Sequence, residues 1–255
     1  MKKVDLNCDL GESFGAYTIG QDAEVIPFIT SANVACGYHA GDPLVMRKTC
    51  AAAKLAGVAI GAHPGFPDLA GFGRRNMTVT PDEAYGYTLY QLGALAAFAQ
   101  AAGTRLQHVK PHGALYNMAG KDAALAGAIC MAVRDFDPRL ILLGLSGSAM
   151  LAEAEKCGLR CAREVFADRG YNEDGSLVSR TLPGAMITDE DTAIARVLRM
   201  LEHGEVETVT GKVIPIAVDS VCVHGDNAHA LAFVRRLREA ITAACITLAP
   251  LNEIV

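Results

Sequence analysis

The sequence predicts an α/β fold: a parallel sheet either covered on both faces or closed into a barrel. Two observations lead there. Short β-branched runs alternate with longer helical patterns along the whole chain, and strand–helix alternation is the signature of a parallel sheet. Nearly every predicted strand is also followed by polar residues and glycines. A βα barrel uses that placement to build one convergent site from loops at the C-terminal ends of its strands. No linker, low-complexity tract or repeat divides the chain, so residues 1–255 are read as one domain, large enough to bury roughly three quarters of the unfolded chain's surface.

The elements follow in order. Strands are predicted at 3–8, 31–36, 58–62, 106–109, 140–145, 159–166 and 220–223. Helical patterns fill the intervals at 22–29, 43–56, 81–102, 123–136, 148–156, 189–203 and 228–244. Asp42-Pro43 supplies an N-cap followed by proline at the first helical position, and Thr80-Pro81-Asp82-Glu83 repeats the device. Thr188 with Asp191 resembles a capping box. Gly57, Gly103, Gly158 and Gly204 stand where helices need a left-handed residue to end. Residues 205–216, with a turn near Gly211-Lys212, read as a hairpin inserted before the last strand.

Composition removes several function classes. With 23 basic and 28 acidic residues the formal charge is −5, so there is no basic excess for general nucleic-acid binding. The longest uncharged run, 84–104, contains three tyrosines and two glutamines and reads as a buried helix rather than a membrane span. The opening MKKVDLNCDLGES lacks a signal-peptide apolar region, and eight cysteines show no paired framework. A cytoplasmic protein with reduced thiols is expected. An apolar fraction of 51% also fits self-association into a homo-oligomer.

Chemistry collects after the strands. The first runs into Asn7, Asp9 and Glu12, the second into His39, the third into His63 and the fourth into Lys110-Pro111-His112. The fifth reaches Ser146 and Ser148, the sixth carries Glu164, Asp168 and Arg169, and the seventh His224 and Asp226. Four of seven histidines thus fall at strand ends, where ordinary turn chemistry gives no reason to concentrate them. Asp9, Glu12, His63, His112 and Lys110 are read as catalytic: carboxylates and imidazoles to move protons, and a lysine at the pocket mouth to hold a carboxylate or phosphate. Asn7, His39, Glu164, Arg169, His224 and Asp226 are read as substrate-binding. The loop carrying Gly71, Gly73, Arg74 and Arg75 is a candidate phosphate site, since glycine amides and an arginine fork both suit an anion.

Asp5, inside a strand, is either functional or a buried structural carboxyl, and His108, His203 and His229 are read as structural. Cys8, Cys36 and Cys222 are read as buried apolar residues rather than nucleophiles. HExxH and Walker A motifs are both absent; no zincin and no tightly bound transition metal is expected.

Six segments, VDLNCDLGE, SANVACGYHAGDP, GAHPGFPDLAGFGRR, VKPHGALYN, EVFADRGY and VCVHGDN, resemble the LamB/YcsF family, the A subunits of bacterial 5-oxoprolinase. They lie in order over nearly the whole chain. The resemblance implies a seven-stranded TIM-like (β/α) barrel of the glycoside hydrolase/deacetylase type. It also implies ATP-dependent opening of 5-oxoproline to L-glutamate with Mg2+, in company with the B and C subunits of 5-oxoprolinase. Two alternatives stand beside it: a metal-dependent deacetylase or amidohydrolase, in which Asp9, His39, His63 or His112 could imitate the Asp–His–His metal set of related barrels, and a non-catalytic substrate-binding component.

Overall fold

The computed structural model describes residues 2–223 and 230–255. The strands are β1 (Lys3–Leu10), β2 (Ser31–Ala35), β3 (Ala59–His63), β4 (Leu106–Val109), β5 (Ile141–Leu145) and β6 (Arg160–Phe166). A short antiparallel pair follows, β7 (Glu205–Glu207) with β8 (Val213–Pro215), then β9 (Ser220–Val223) and a two-residue β10 (Thr247–Leu248). β1 to β6 pair in sequence order, all parallel; β9 pairs with both β6 and β1 and so closes a seven-stranded barrel. β10 extends the lower half of β1.

The helices are α1 (Asp22–Val25), α2 (Pro43–Leu55), α3 (Pro81–Ala101), α4 (Gly113–Ala119), α5 (Ala123–Phe136), α6 (Ala149–Lys156), α7 (Glu190–His203) and α8 (Ala230–Ala243). Among the described residues, none is long and apolar enough to cross a membrane. Several boundaries follow the predicted caps. Asp42 accepts from the Leu44 and Val45 amides, and Thr80 and Glu83 form a reciprocal capping box. Other boundaries moved. α7 is capped by Asp189, which accepts from the Thr192 amide, rather than by Thr188. The 22–29 helix tightens into a 3-10 turn at Ile26–Phe28, where Pro27 lacks an amide to continue the α pattern. β3 starts one residue late and runs through His63, so that histidine is a strand residue rather than a loop residue.

Alternate residues of each strand face opposite sides. One set, including Leu6, Val34, Ile60, Val109 and Val165, packs against the helices as the main core. The other set makes a barrel interior that is largely polar. Asp5, Asn7, Ser31, Asn33, His108, Glu164 and Ser220 are all completely buried. Buried polar groups are tolerable only when bonded, and each of these side chains makes at least one hydrogen bond, although His108 Nδ1 has no partner. Asn7 donates to Glu164 Oε1 (3.0 Å) and Ser220 Oγ (2.7 Å) and accepts from Asn33 (2.7 Å). His108 Nε2 lies 2.7 Å from Asn33 Oδ1, and burial drives its pKa down to about 3, so the ring is neutral. Its structural role stands.

The interior leaves no room for a side chain at position 61. A Cβ built on Gly61 would lie 2.0 Å from His108 Nε2. Gly61→Ala is therefore expected to displace His108 from Asn33 and to destabilise by the upper end of the roughly 1–3 kcal/mol that overpacking costs. Urea unfolding would check this; an unchanged midpoint would contradict it.

Asp5 resolves as structural. It accepts from Thr30, Ser31 and Ser220 hydroxyls. Burial nevertheless outweighs these bonds and lifts its pKa from 3.8 to about 6. The folded protein therefore holds this proton more tightly than the unfolded chain does. The stabilisation is full below pH 4 and is lost as pH rises through 6, a swing of about 3 kcal/mol at about 1.4 kcal/mol per pH unit. The difference in unfolding free energy between the native sequence and Asp5→Asn should accordingly shift toward the variant by most of that amount, about 2 kcal/mol, between pH 4 and pH 7. A pH-independent difference would contradict the assignment.

Candidate active site at the C-terminal ends of the strands

A cavity of about 620 Å³ opens at the C-terminal end of the barrel. Asp9, Glu12, His63, Lys110 and His112 line its floor, and Arg74, Arg169 and Arg180 its sides. The five residues read as catalytic thus come together from β1, β3, β4 and their following loops. Proline and glycine at 111 and 113 turn the chain sharply after β4, which delivers His112 to the floor and starts α4 directly behind it.

Lys110 lies deeper than its strand-end position suggested. It is 2% exposed, with Nζ 2.8 Å from Asp9 Oδ1 and 2.9 Å from Glu164 Oε1. Burial opposes its charge, but Asp9, Cys222 and Glu164 outweigh burial and hold the amine well above its usual range. Its cation is already engaged by protein carboxylates, so a free anion-gripping lysine at the mouth is not what the fold builds. Lys110 instead neutralises two acids under the floor and fixes the position of Asp9.

Glu164 and Asn7 are corrected in the same way. Glu164 is fully buried, taking Asn7 and Lys110 on one oxygen and the Tyr116 hydroxyl (2.6 Å) on the other. Asn7 has its amide donors and acceptor engaged below the cavity. Both support the floor from beneath and contact no substrate space.

Above this network, His63 Nε2 lies 3.3 Å from Asp9 Oδ2 and 2.9 Å from His112 Nδ1. His39 is completely buried behind them, its ring stacked on His112 at 3.8 Å, so it too is excluded from direct substrate contact. Burial pushes the pKa of His39 and His112 well below the ordinary imidazole value and raises that of the Glu12 carboxyl. The ligand-capable atoms of Glu12, His39, His63 and His112 all lie within 4.8 Å of one another.

The sequence pattern of the LamB/YcsF family matches residues 4–255. The chain belongs to the LamB/YcsF family. A relative from Clostridium beijerinckii, named as the A subunit of 5-oxoprolinase, is 61% identical over 254 residues, covering all of both chains. One of the same name from Campylobacter jejuni is 57% identical over 255 residues, again covering both chains completely. The crystal structure of a lactam utilization protein from Thermus thermophilus superposes with a TM-score of 0.91 at 47% identity, covering 97% of this chain and 99% of that one. A putative cellobiose-phosphate cleavage protein from Enterococcus faecalis, at 16% identity and TM-score 0.61, covers 100% of this chain and 99% of its own and shares the fold alone.

In this LamB/YcsF chain the glycine–arginine loop differs from its phosphate-site reading. Asp68 takes the Gly71 amide (2.9 Å) and a two-pronged grip from Arg75, whose side chain otherwise points to solvent. These donors are spent inside the loop. Gly73 has a packing role: a Cβ there would sit 2.7 Å from His39 Cβ and 3.0 Å from His112 Cδ2. Arg74 alone of the four turns to the cavity, over the Phe72 ring. Arg169 lines the cavity but also ties down the covering segment, donating to the Ala185 and Val178 carbonyls. His224 and Asp226 lie outside the described residues. Buried Cys8, Cys36 and Cys222 have thiols pushed up by burial and are not thiolate nucleophiles.

Sequence reasoning marked Arg180 as an anion-binding candidate but passed over Asn76, Tyr116, Asn117, residues 174–179 and Thr181, which complete the wall. Tyr116 and Asn117 are carried by α4, a helix too short to show a hydrophobic period. The 174–181 segment is folded over the cavity by Arg169, a long-range contact without a local signal.

Proposed function

We propose that this chain is the A subunit of a multi-subunit, cytoplasmic 5-oxoprolinase, and that its cavity is where 5-oxoproline is opened to L-glutamate with hydrolysis of ATP. The observation that carries the reading is the pairing of two cavity-facing carboxylates, Asp9 and Glu12, with a wall that bears arginines. The names of full-length relatives supply the substrate and the multi-subunit character. The eight cysteines form no disulfide, in keeping with a reducing compartment.

The net reaction consumes one water to open the lactam and a second, through ATP, to yield ADP and phosphate. A five-membered lactam is a stable amide. ATP, bound with Mg2+, would supply a phosphoryl group to the amide oxygen, so that water attack with C–N cleavage leaves an acyl phosphate whose hydrolysis takes the second water and releases phosphate. This chain's residues supply the rest. Asp9, paired with Lys110, accepts the proton of the attacking water and returns it to the departing ring nitrogen. His63 and His112 stand directly behind the two carboxylates and position them, His63 Nε2 at 3.3 Å from Asp9 Oδ2 and His112 Nδ1 at 3.5 Å from Glu12 Oε1. Arg74 and Arg180 face the anionic groups, namely the substrate carboxylate and the transferred phosphate. The Walker A loop is missing and the glycine loop is occupied by Asp68, which favours the B or C partner as the main holder of the nucleotide.

The test is glutamate release from 5-oxoproline, with Mg2+ held constant while ATP and each partner are introduced one at a time. Release is expected when all are present. Release by this chain alone, without ATP, would overturn the reading.

A further inference from the structure

On the floor four buried ligand-capable side chains, Glu12, His39, His63 and His112, face one another. His63 Nδ1 lies 2.7 Å from the Lys110 carbonyl oxygen and His112 Nε2 lies 2.9 Å from that of Phe72. A carbonyl oxygen only accepts, so each ring carries its proton on the nitrogen facing the carbonyl. With both rings neutral, His63 Nε2 and His112 Nδ1 would present lone pairs to one another, and they stand 2.9 Å apart. Glu12 Oε1 lies 3.5 Å from His112 Nδ1, 4.0 Å from His63 Nε2 and 3.4 Å from His39 Nε2. That oxygen is buried with no hydrogen-bond partner, and neither nitrogen of the completely buried His39 has one. Such a cluster is costly as it stands, because unpaired buried polar atoms lose their solvation and gain nothing.

A cation resolves all four at once. We propose that Glu12, His39, His63 and His112 form a binding site for one divalent transition cation, with Zn2+ as the best fit. A tetrahedron with metal–ligand bonds of about 2.0–2.1 Å has edges of roughly 3.3–3.4 Å, and the separations above bracket that length. Three imidazoles and one carboxylate suit zinc or cobalt; the Mg2+ that accompanies ATP prefers oxygen ligands and belongs elsewhere. The carbonyls of Lys110 and Phe72 are the outer partners that orient metal-binding histidines. The neighbouring backbone is also cut to fit. A Cβ at Gly65 would fall 2.6 Å from His39 Nδ1, and Gly73 clears the other side.

This reverses the expectation of no tightly bound transition metal; the four ligands lie in or after four different strands and share no local spacing. It is independent of the lactam reading: the site would bind metal whatever the substrate.

The test uses the full chain without an affinity tag, stripped with a chelator and titrated with Zn2+ by calorimetry and with Co2+ by visible absorption. One equivalent of Zn2+ is expected, and a Co2+ spectrum of a four- or five-coordinate site. Glu12→Gln, checked for folding by circular dichroism, should weaken binding by at least the roughly 10–100-fold that follows from disturbing even a ligand's partner. His203→Ala, an exposed residue, should leave it unchanged. If Glu12→Gln does not fold, X-ray absorption of the wild-type cobalt form decides, with histidine ligands supporting the site. Binding far below one equivalent, a hexaaquo-type spectrum, a cobalt shell without histidine, or affinity lost in His203→Ala and kept in Glu12→Gln would overturn it.

Discussion

Lys110→Met will lower the thermal midpoint by roughly 10 °C and abolish glutamate release by the reconstituted enzyme. The side chain is nearly isosteric, so packing is kept while the cation is lost. Asp9 and Glu164, 2.8 and 2.9 Å from Nζ, would then face each other's charge at the barrel floor without compensation. Removing one partner of a buried ion pair costs about 3–5 kcal/mol. For a chain of this size each kcal/mol moves the midpoint by roughly 2–4 °C. Adding Glu164→Gln should return part of the loss, because it removes one of the stranded charges. Calorimetric melting of the single and double variants checks this. A midpoint unchanged in Lys110→Met would mean that the amine does not neutralise the floor.

Asp9→Asn separates chemistry from stability. The amide keeps the shape, and Lys110 retains Glu164 as its partner. The variant should therefore melt closer to the native chain than Lys110→Met does. Turnover, however, should fall by about 10²–10⁴-fold, the range over which a positioned proton acceptor acts. Steady-state glutamate release with saturating 5-oxoproline and ATP checks it. Turnover within a few-fold of the native enzyme would remove Asp9 from the reaction.

The barrel was legible because its determinants are local. β-branched runs, the caps at Asp42 and Thr80 and the glycine stops are each written in a few adjacent residues. The meeting of Asp9, Glu12, His63 and His112 was legible too, since in a parallel barrel every strand's C-terminal end reaches the same rim. Depth along the barrel axis was not. Asn7, Lys110 and Glu164 have the same residue-type signature as rim groups, yet they are buried because partners far along the chain complete their bonds. The phosphate reading of the glycine loop failed for a related reason. Gly71 and Arg75 do bind an anion, but it is Asp68 of the same loop. His39, expected at the rim, is displaced behind it by the stack on His112.

The most direct test of the account is a structure of the reconstituted complex with 5-oxoproline and a non-hydrolysable ATP analogue. The lactam is expected in the cavity at the C-terminal end of the barrel. Its ring amide should be within hydrogen-bond reach of Asp9 or Glu12, with its carboxylate turned toward Arg74, Arg169 or Arg180. Lactam bound elsewhere, as in the second cavity beside the β7–β8 pair, with the Asp9–Glu12 floor untouched, would contradict it.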